Sequence, residues 1–113
     1  MTKNPSVAVL LTAYNGISWI RDQVDSILNQ EDANIDIYIS VDLSCDGTYE
    51  WCKDLAADNT NVKVLPYGDY FGGAAKNFFR LIKDVDFNNY NYISLADQDD
   101  IWLPNKVSRA IKI

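Results

Sequence analysis

Apolar residues in this chain follow two alternating patterns, unbroken strand-like runs and helix-like stripes, and the pair occurs four times. The run Ser6-Val7-Ala8-Val9-Leu10-Leu11 suits a strand buried on both faces, and Asn15-Gly16 breaks it. Trp19, Ile20, Val24, Ile27 and Leu28 then recur at helical spacing, with Ser18 as the predicted N-cap and an end near Gln30. Ile35 to Val41 reads as a second strand, and Asp46-Gly47-Thr48 turns the chain into a helix with Trp51, Leu55 and Ala56 on one face. Val62 to Leu65 is a third strand stopped by Pro66. Gly72-Gly73 precedes a helix from Ala74 to about Lys83, with Phe78, Phe79 and Ile82 as its expected apolar stripe. Tyr92 to Ala96 is the fourth strand, and Pro104 suits the first position of a closing helix. Strict alternation of this kind predicts an α/β fold, with a mostly parallel, doubly wound sheet and helices on both faces.

Composition narrows the function classes. With 113 residues and 48% hydrophobic content the chain can bury one core, and its net charge of −6 argues against a nucleic-acid surface, which needs clustered Lys and Arg. No run of 18 or more apolar residues is present, and the first residues lead straight into a strand, so the cytoplasm is the expected compartment. There is no histidine, which removes imidazole-based nucleophilic schemes, and Cys45 and Cys52 lack metal-site spacing, so two free thiols are expected. Trp19, Trp51, Phe78 and Phe79 fall at core spacing, whereas Trp102 fits either a lid on a ligand pocket or packing under the last helix.

The chemistry gathers at strand ends. Asp97-Gln98-Asp99-Asp100 follows an apolar run and supplies hard oxygen ligands of the kind that bind Mg²⁺ or Mn²⁺ beside a substrate phosphate. Thr12-Ala13-Tyr14-Asn15-Gly16 and Asp42-Leu43-Ser44-Cys45-Asp46-Gly47-Thr48 end two other strands. In a parallel sheet these ends share one edge, where open α/β folds hold ligands. A dinucleotide oxidoreductase would need Gly-x-Gly-x-x-Gly after the first strand, a phosphoaspartyl phosphatase an acid there, and an EF-hand a glycine and terminal glutamate after Asp97. None of these is present. Asp46-Gly47-Thr48 reads as turn and cap.

Taken with Gly72-Gly73-Ala74-Ala75-Lys76-Asn77-Phe78 and Ile101-Trp102-Leu103-Pro104, the series resembles the N-terminal half of family 2 glycosyltransferases, and Asp-Gln-Asp-Asp-Ile-Trp-Leu-Pro-Asn-Lys looks most like the rhamnosyltransferase-like branch. The resemblance implies a Rossmann-like GT-A nucleotide-binding half, and an inverting transfer of sugar from a UDP- or dTDP-linked donor to an acceptor hydroxyl of a glycan or lipid-linked acceptor. By the same resemblance Thr12 would lie beside the base, Tyr14 in the base or ribose pocket, and Lys76 near the diphosphate. Asp42 would accept from the N3–H of uracil or thymine, a contact that cytosine, with an acceptor at N3, cannot make. Asp97 and Asp99 match the DxD motif, Asp97 towards the ribose or a water on the metal and Asp99 as direct ligand to Mg²⁺ or Mn²⁺, with Asp100 a further candidate.

In this family the catalytic base lies beyond the DxD motif on the C-terminal side. Residues 1–113 are therefore expected to form one nucleotide-sugar-binding subdomain, truncated before the acceptor-binding portion, that binds donor without transferring sugar. Such a piece is expected to expose apolar surface around Trp102 and Val107 and to self-associate, and the full-length parent to work at the inner face of the membrane. Val41 and Leu43 depart from the family's Asp-Asp-Gly wording, and Leu43 adds a side chain beside the expected base site. The competing class is a non-catalytic nucleotide- or metal-binding module.

Overall fold

The computed structural model describes residues 4–96 and 100–111. Eight elements follow in the expected order: β1 (Ser6–Ala13), α1 (Ile20–Leu28), β2 (Asn34–Val41), α2 (Thr48–Asp58), β3 (Val62–Val64), α3 (Ala74–Asp84), β4 (Tyr92–Ala96) and α4 (Lys106–Ile111). The strands form one sheet in the order β3-β2-β1-β4, and all of its pairings are parallel. The chain steps outward from β1 to β3 and then returns to the other side of β1. The order thus reverses between β1 and β4, and such a reversal opens a crevice at the carboxyl ends of the strands.

Burial explains why β1 reads as a continuous apolar run. Its odd residues Val7, Val9, Leu11 and Ala13 face a core shared with Ile20, Val24 and Ile27 of α1, Cys52 of α2 and Val107 of α4. Leu10 instead faces α3, where it joins Leu81 and Val85. Helices therefore cover both faces of the sheet, as the alternation predicts.

Three helix-level expectations change. Ser18 does not cap α1; the helix is entered from Gly16, whose carbonyl accepts from the N–H groups of Trp19 and Ile20 at 3.0 and 2.9 Å. On α3 the buried residues are Asn77 and Leu81, while Phe79 is 69% exposed. Pro104 stands ahead of α4 rather than inside it, in a turn closed by the Lys106 N–H on the Leu103 carbonyl at 3.0 Å.

Trp102 takes the second of its two expected places, packed in the core with Val107 of α4. Trp102 is only 3% exposed and Val107 is buried with it in the core, so neither forms an open apolar surface. Polar groups on α1 and just after it hold this segment: the Trp102 N–H donates to Ser26 Oγ at 3.0 Å, the Val107 N–H to Gln30 Oε1 at 2.9 Å, and Gln30 Nε2 to the Leu103 carbonyl at 2.7 Å. Exposed apolar side chains do flank Trp102, at Ile101 and Leu103, and others lie on the side of the sheet that carries α3, at Ile93 and Leu95 of β4 and at Phe79 and Ile82 of α3 itself.

Both cysteines are free, as expected. Cys45 is exposed, whereas burial pushes the Cys52 thiol up to about 12. A thiol reagent at about pH 8 should therefore modify one cysteine in the native chain and both after denaturation, because only the exposed thiol forms accessible thiolate. Two rapid modifications in the native state would contradict the burial of Cys52.

Candidate functional site

A cavity of ≈ 280 Å³ opens at the carboxyl ends of β1 and β2, beside the sheet reversal. Thr12, Ala13 and Tyr14 line it from β1 and its loop, Asp42 from the end of β2, and Tyr70, Gly72, Gly73, Ala74 and Asn77 from the entry to α3. Three of the residues singled out from sequence, Thr12, Tyr14 and Asp42, thus meet around one space. Lys76 is exposed on the first turn of α3 and is not part of the lining. Asp97 and Asp99 lie outside the described residues. β4 reaches Ala96 opposite Leu11, so the chain leaves the sheet at the same edge.

Asp42 is the centre of this arrangement. It is 3% exposed, and its carboxylate holds backbone: Oδ1 accepts from the N–H groups of Leu43 at 2.9 Å and Phe71 at 2.7 Å, and Oδ2 from that of Gly72 at 3.1 Å. A carboxylate offers about four acceptor positions, so one remains on Oδ2. Asp42 therefore straps the segment between β3 and α3 across the end of β2 and has one acceptor position left over. Leu43 does not crowd the cavity. Its side chain is half exposed outside the lining, and its N–H also meets the Asp69 carbonyl at 3.2 Å. Val41 is buried as the last residue of β2.

Arg80 holds the strap from behind. Its Nη2 donates to the Pro66 carbonyl at 2.6 Å, its Nη1 to Ser40 Oγ at 3.0 Å and its Nε to Asp84 at 3.0 Å, while the guanidinium lies 5.4 Å from the Phe71 ring centroid. Tyr67 ties the same segment to the loop after β2, accepting from the Ser44 N–H at 2.9 Å and stacking on Tyr49 with centroids 4.1 Å apart. Gly72 and Gly73 turn the strap into α3 with φ of +79° and +151°. A Cβ on Gly73 would meet nothing within 4 Å, so backbone conformation rather than space calls for glycine there. No side chain caps α3, and its first residue Ala74 lines the cavity together with Gly73.

The loop after β1 is braced from the other side. Asn15 Oδ1 accepts from the Cys45 N–H at 2.9 Å, and Gly16 N–H donates to Thr48 Oγ1 at 2.8 Å. Asp46 accepts from the N–H groups of Thr48 and Ile17, each at 3.1 Å, and from the Thr48 hydroxyl. Desolvation works against the charged form of Asp46, but these bonds outweigh it and hold the carboxyl below its usual range. Asp46-Gly47-Thr48 is thus a turn and cap, as its sequence suggests. Asp100 is engaged locally: its Oδ2 accepts from Trp102 Nε1 at 3.2 Å and pairs with Lys106 Nζ at 3.4 Å.

Tyr70, Asn77 and Arg80 escaped the reading of the sequence. Asn77 is 2% exposed and donates to the Ser40 carbonyl at 2.9 Å. Its spacing of four from Leu81, and of eight from Val85, places all three on one helical face, which is the signal that could have found it.

The glycosyl transferase family 2 model matches residues 8–113. The dTDP-rhamnosyl transferase RfbG of Shigella flexneri is 48% identical over 102 residues, which cover 89% of this chain and 35% of that protein. The chain therefore spans about a third of the length of that relative. In backbone it is similar to S. aureus TarS 1-349 in complex with UDP-GlcNAc, with a TM-score of 0.78 at 19% identity over 95% of this chain and 30% of that one. It is equally similar to the mannosyltransferase PcManGT of Pyrobaculum calidifontis in complex with GDP-Man and Mn²⁺, with a TM-score of 0.78 at 19% identity over 96% of this chain and 32% of that one. The parallel sheet with helices on both faces matches the GT-A fold of these transferases. With a family match across nearly its whole length, the chain belongs to glycosyl transferase family 2.

Proposed function

We propose that this chain binds the donor for an inverting glycosyltransferase, a UDP- or dTDP-sugar whose sugar passes to an acceptor hydroxyl in polysaccharide or glycan biosynthesis. The observation that carries this reading is Asp42, buried at the cavity beside Thr12 and Tyr14 with one acceptor position left on Oδ2. An acceptor there matches the N3–H of uracil or thymine and opposes the N3 lone pair of cytosine. The name of RfbG supports dTDP-rhamnose as the donor.

The rest of the donor follows from the elements around the cavity. The uncapped start of α3, reached through Gly72-Gly73, offers backbone N–H groups and the positive end of the helix to a diphosphate, and Lys76 adds a cation on the same turn. Asp99 would hold Mg²⁺ or Mn²⁺, with Asp97 towards the ribose or the ion, since both carboxylates follow β4 directly in the sequence. When bound, that ion neutralises charge on the departing diphosphate. The Mn²⁺ with GDP-Man in PcManGT supports a metal of this kind.

Residues 1–113 act in this reading as one nucleotide-sugar-binding subdomain. Their 35% share of RfbG supports an acceptor site and base in the rest of a full-length transferase, working on a glycan or lipid-linked acceptor in the cytoplasm at the inner face of the membrane. Among the described residues no helix is long and apolar enough to cross a membrane. The open apolar side chains of Phe79, Ile82, Ile93 and Leu95 support self-association of the segment in isolation.

Calorimetry with dTDP, UDP, GDP and CDP, each in Mn²⁺ and in EDTA, tests the reading. We expect dTDP and UDP to bind most tightly, Mn²⁺ to strengthen them by about tenfold or more, and Asp99→Ala to bind alike in Mn²⁺ and EDTA. Equal affinity for all four nucleotides would remove the role of Asp42 in base selection. An intact protein indifferent to EDTA would remove the metal.

A further inference from the structure

We propose that Tyr70 stacks on the nucleobase of the donor and, with Tyr14, forms a slot that grips both faces of the base while Asp42 reads its edge. This rests on the donor-binding function proposed above. Tyr70 is 74% exposed, yet its backbone is pinned on either side, by the Leu43 N–H on the Asp69 carbonyl at 3.2 Å and by the Phe71 N–H on Asp42 at 2.7 Å. The ring is kept at the cavity mouth, 3.5 Å from where a side chain on Gly72 would begin. An anchored aromatic with an uncovered face gains by stacking, and a flat base is the part of a sugar nucleotide that offers a π-face.

Strand order supplies the geometry. Asp42 ends β2, which lies between β1 and β3; Tyr14 leaves the sheet from β1, and Tyr70 belongs to the segment that follows β3. The two tyrosines therefore approach from opposite flanks of the carboxylate and line the same cavity. A base whose edge meets Asp42 turns its faces towards them.

Thymine hypochromism on binding and calorimetric affinity for dTDP, measured with the intact protein and with Tyr70→Ala and Tyr70→Phe, test the stack. We expect Tyr70→Ala to weaken dTDP by about 10- to 100-fold and to reduce the hypochromism, whereas Tyr70→Phe stays within about twofold of the parent. Affinity for inorganic pyrophosphate, which has no base, should be unchanged in both variants. If dTDP binds the parent and Tyr70→Ala equally, the stack is overturned while the donor-binding function stands. An equal loss for dTDP and pyrophosphate would make Tyr70 a support of the strap alone and overturn the stack too. Failure of the intact protein to bind any nucleoside diphosphate would overturn both proposals.

Discussion

Asp42→Asn should reverse the order of base preference, weakening dTDP and UDP by about 10- to 100-fold while sparing CDP, because a buried donor set against another donor costs about 1–3 kcal/mol. A free amide could rotate to suit either base. Here the strap removes that freedom. Two backbone N–H groups, those of Leu43 and Phe71, converge on Oδ1 and only Gly72 reaches Oδ2, so the amide oxygen is drawn to the Oδ1 position. Its NH₂ then faces Gly72 N–H and the incoming base, where it suits the N3 acceptor of cytosine and opposes the N3–H of thymine. The same conflict with Gly72 should loosen the strap and lower the unfolding free energy by about 1–3 kcal/mol. Calorimetry with the four nucleotides and denaturant unfolding measure the two effects separately. A uniform loss for every nucleotide would mean that Asp42 only braces the strap.

How much of this was legible in the sequence depends on which interactions carry each part. The strands and their polar ends were readable because β1 and β2 are covered on both faces by α1, α2 and α3: two-sided burial demands the continuous apolar run of β1, while β2 alternates and buries Ile35, Ile37, Ile39 and Val41 on one face. The face of α3 was not. Phe78 does pack against Leu10, Leu81 and Val85, but Phe79 and Ile82 stay exposed while the polar Asn77 is buried, and the neighbouring β4 leaves Ile93 and Leu95 open on that side. Trp102 was ambiguous because its place depends on Ser26 and Gln30, polar residues at the end of a helix whose sequence reads as solvent-facing.

The candidate site divides in the same way. Thr12, Tyr14 and Asp42 stood out because they end strands, and strand ends of a parallel sheet converge. The strap across Asp42 carried no side-chain signal: what the carboxylate holds is the backbone of Phe71 and Gly72, about 30 residues further on in the chain, and a backbone N–H leaves no mark of its partner in the sequence. Tyr70 looks like an ordinary loop residue until the strap fixes where its ring stands.

Arg80 should be the position beyond the cavity lining at which a single substitution most weakens nucleotide binding. Its guanidinium serves Ser40, Pro66 and Asp84 in three directions and lies against Phe71, so it joins β2, the strap and α3 through one rigid group. Arg80→Ala leaves the Pro66 carbonyl and Ser40 hydroxyl without this donor and should cost about 1.5–3 kcal/mol of stability, the range for hydrogen bonds to a charged group. Arg80→Lys should recover little of it, because an ammonium is a point charge that cannot span the same fork. A loosened strap is ordered in only part of the population, and apparent affinity falls by that fraction. We expect dTDP affinity to drop by about tenfold in both variants, with the preference for dTDP over CDP unchanged because the proposed contact between Asp42 and the base is left in place. Saturating dTDP should restore part of the lost melting temperature, since the ligand binds only the ordered strap. If Arg80→Lys matches the parent in stability and affinity, the fork geometry is irrelevant and charge near Asp84 is all that Arg80 contributes.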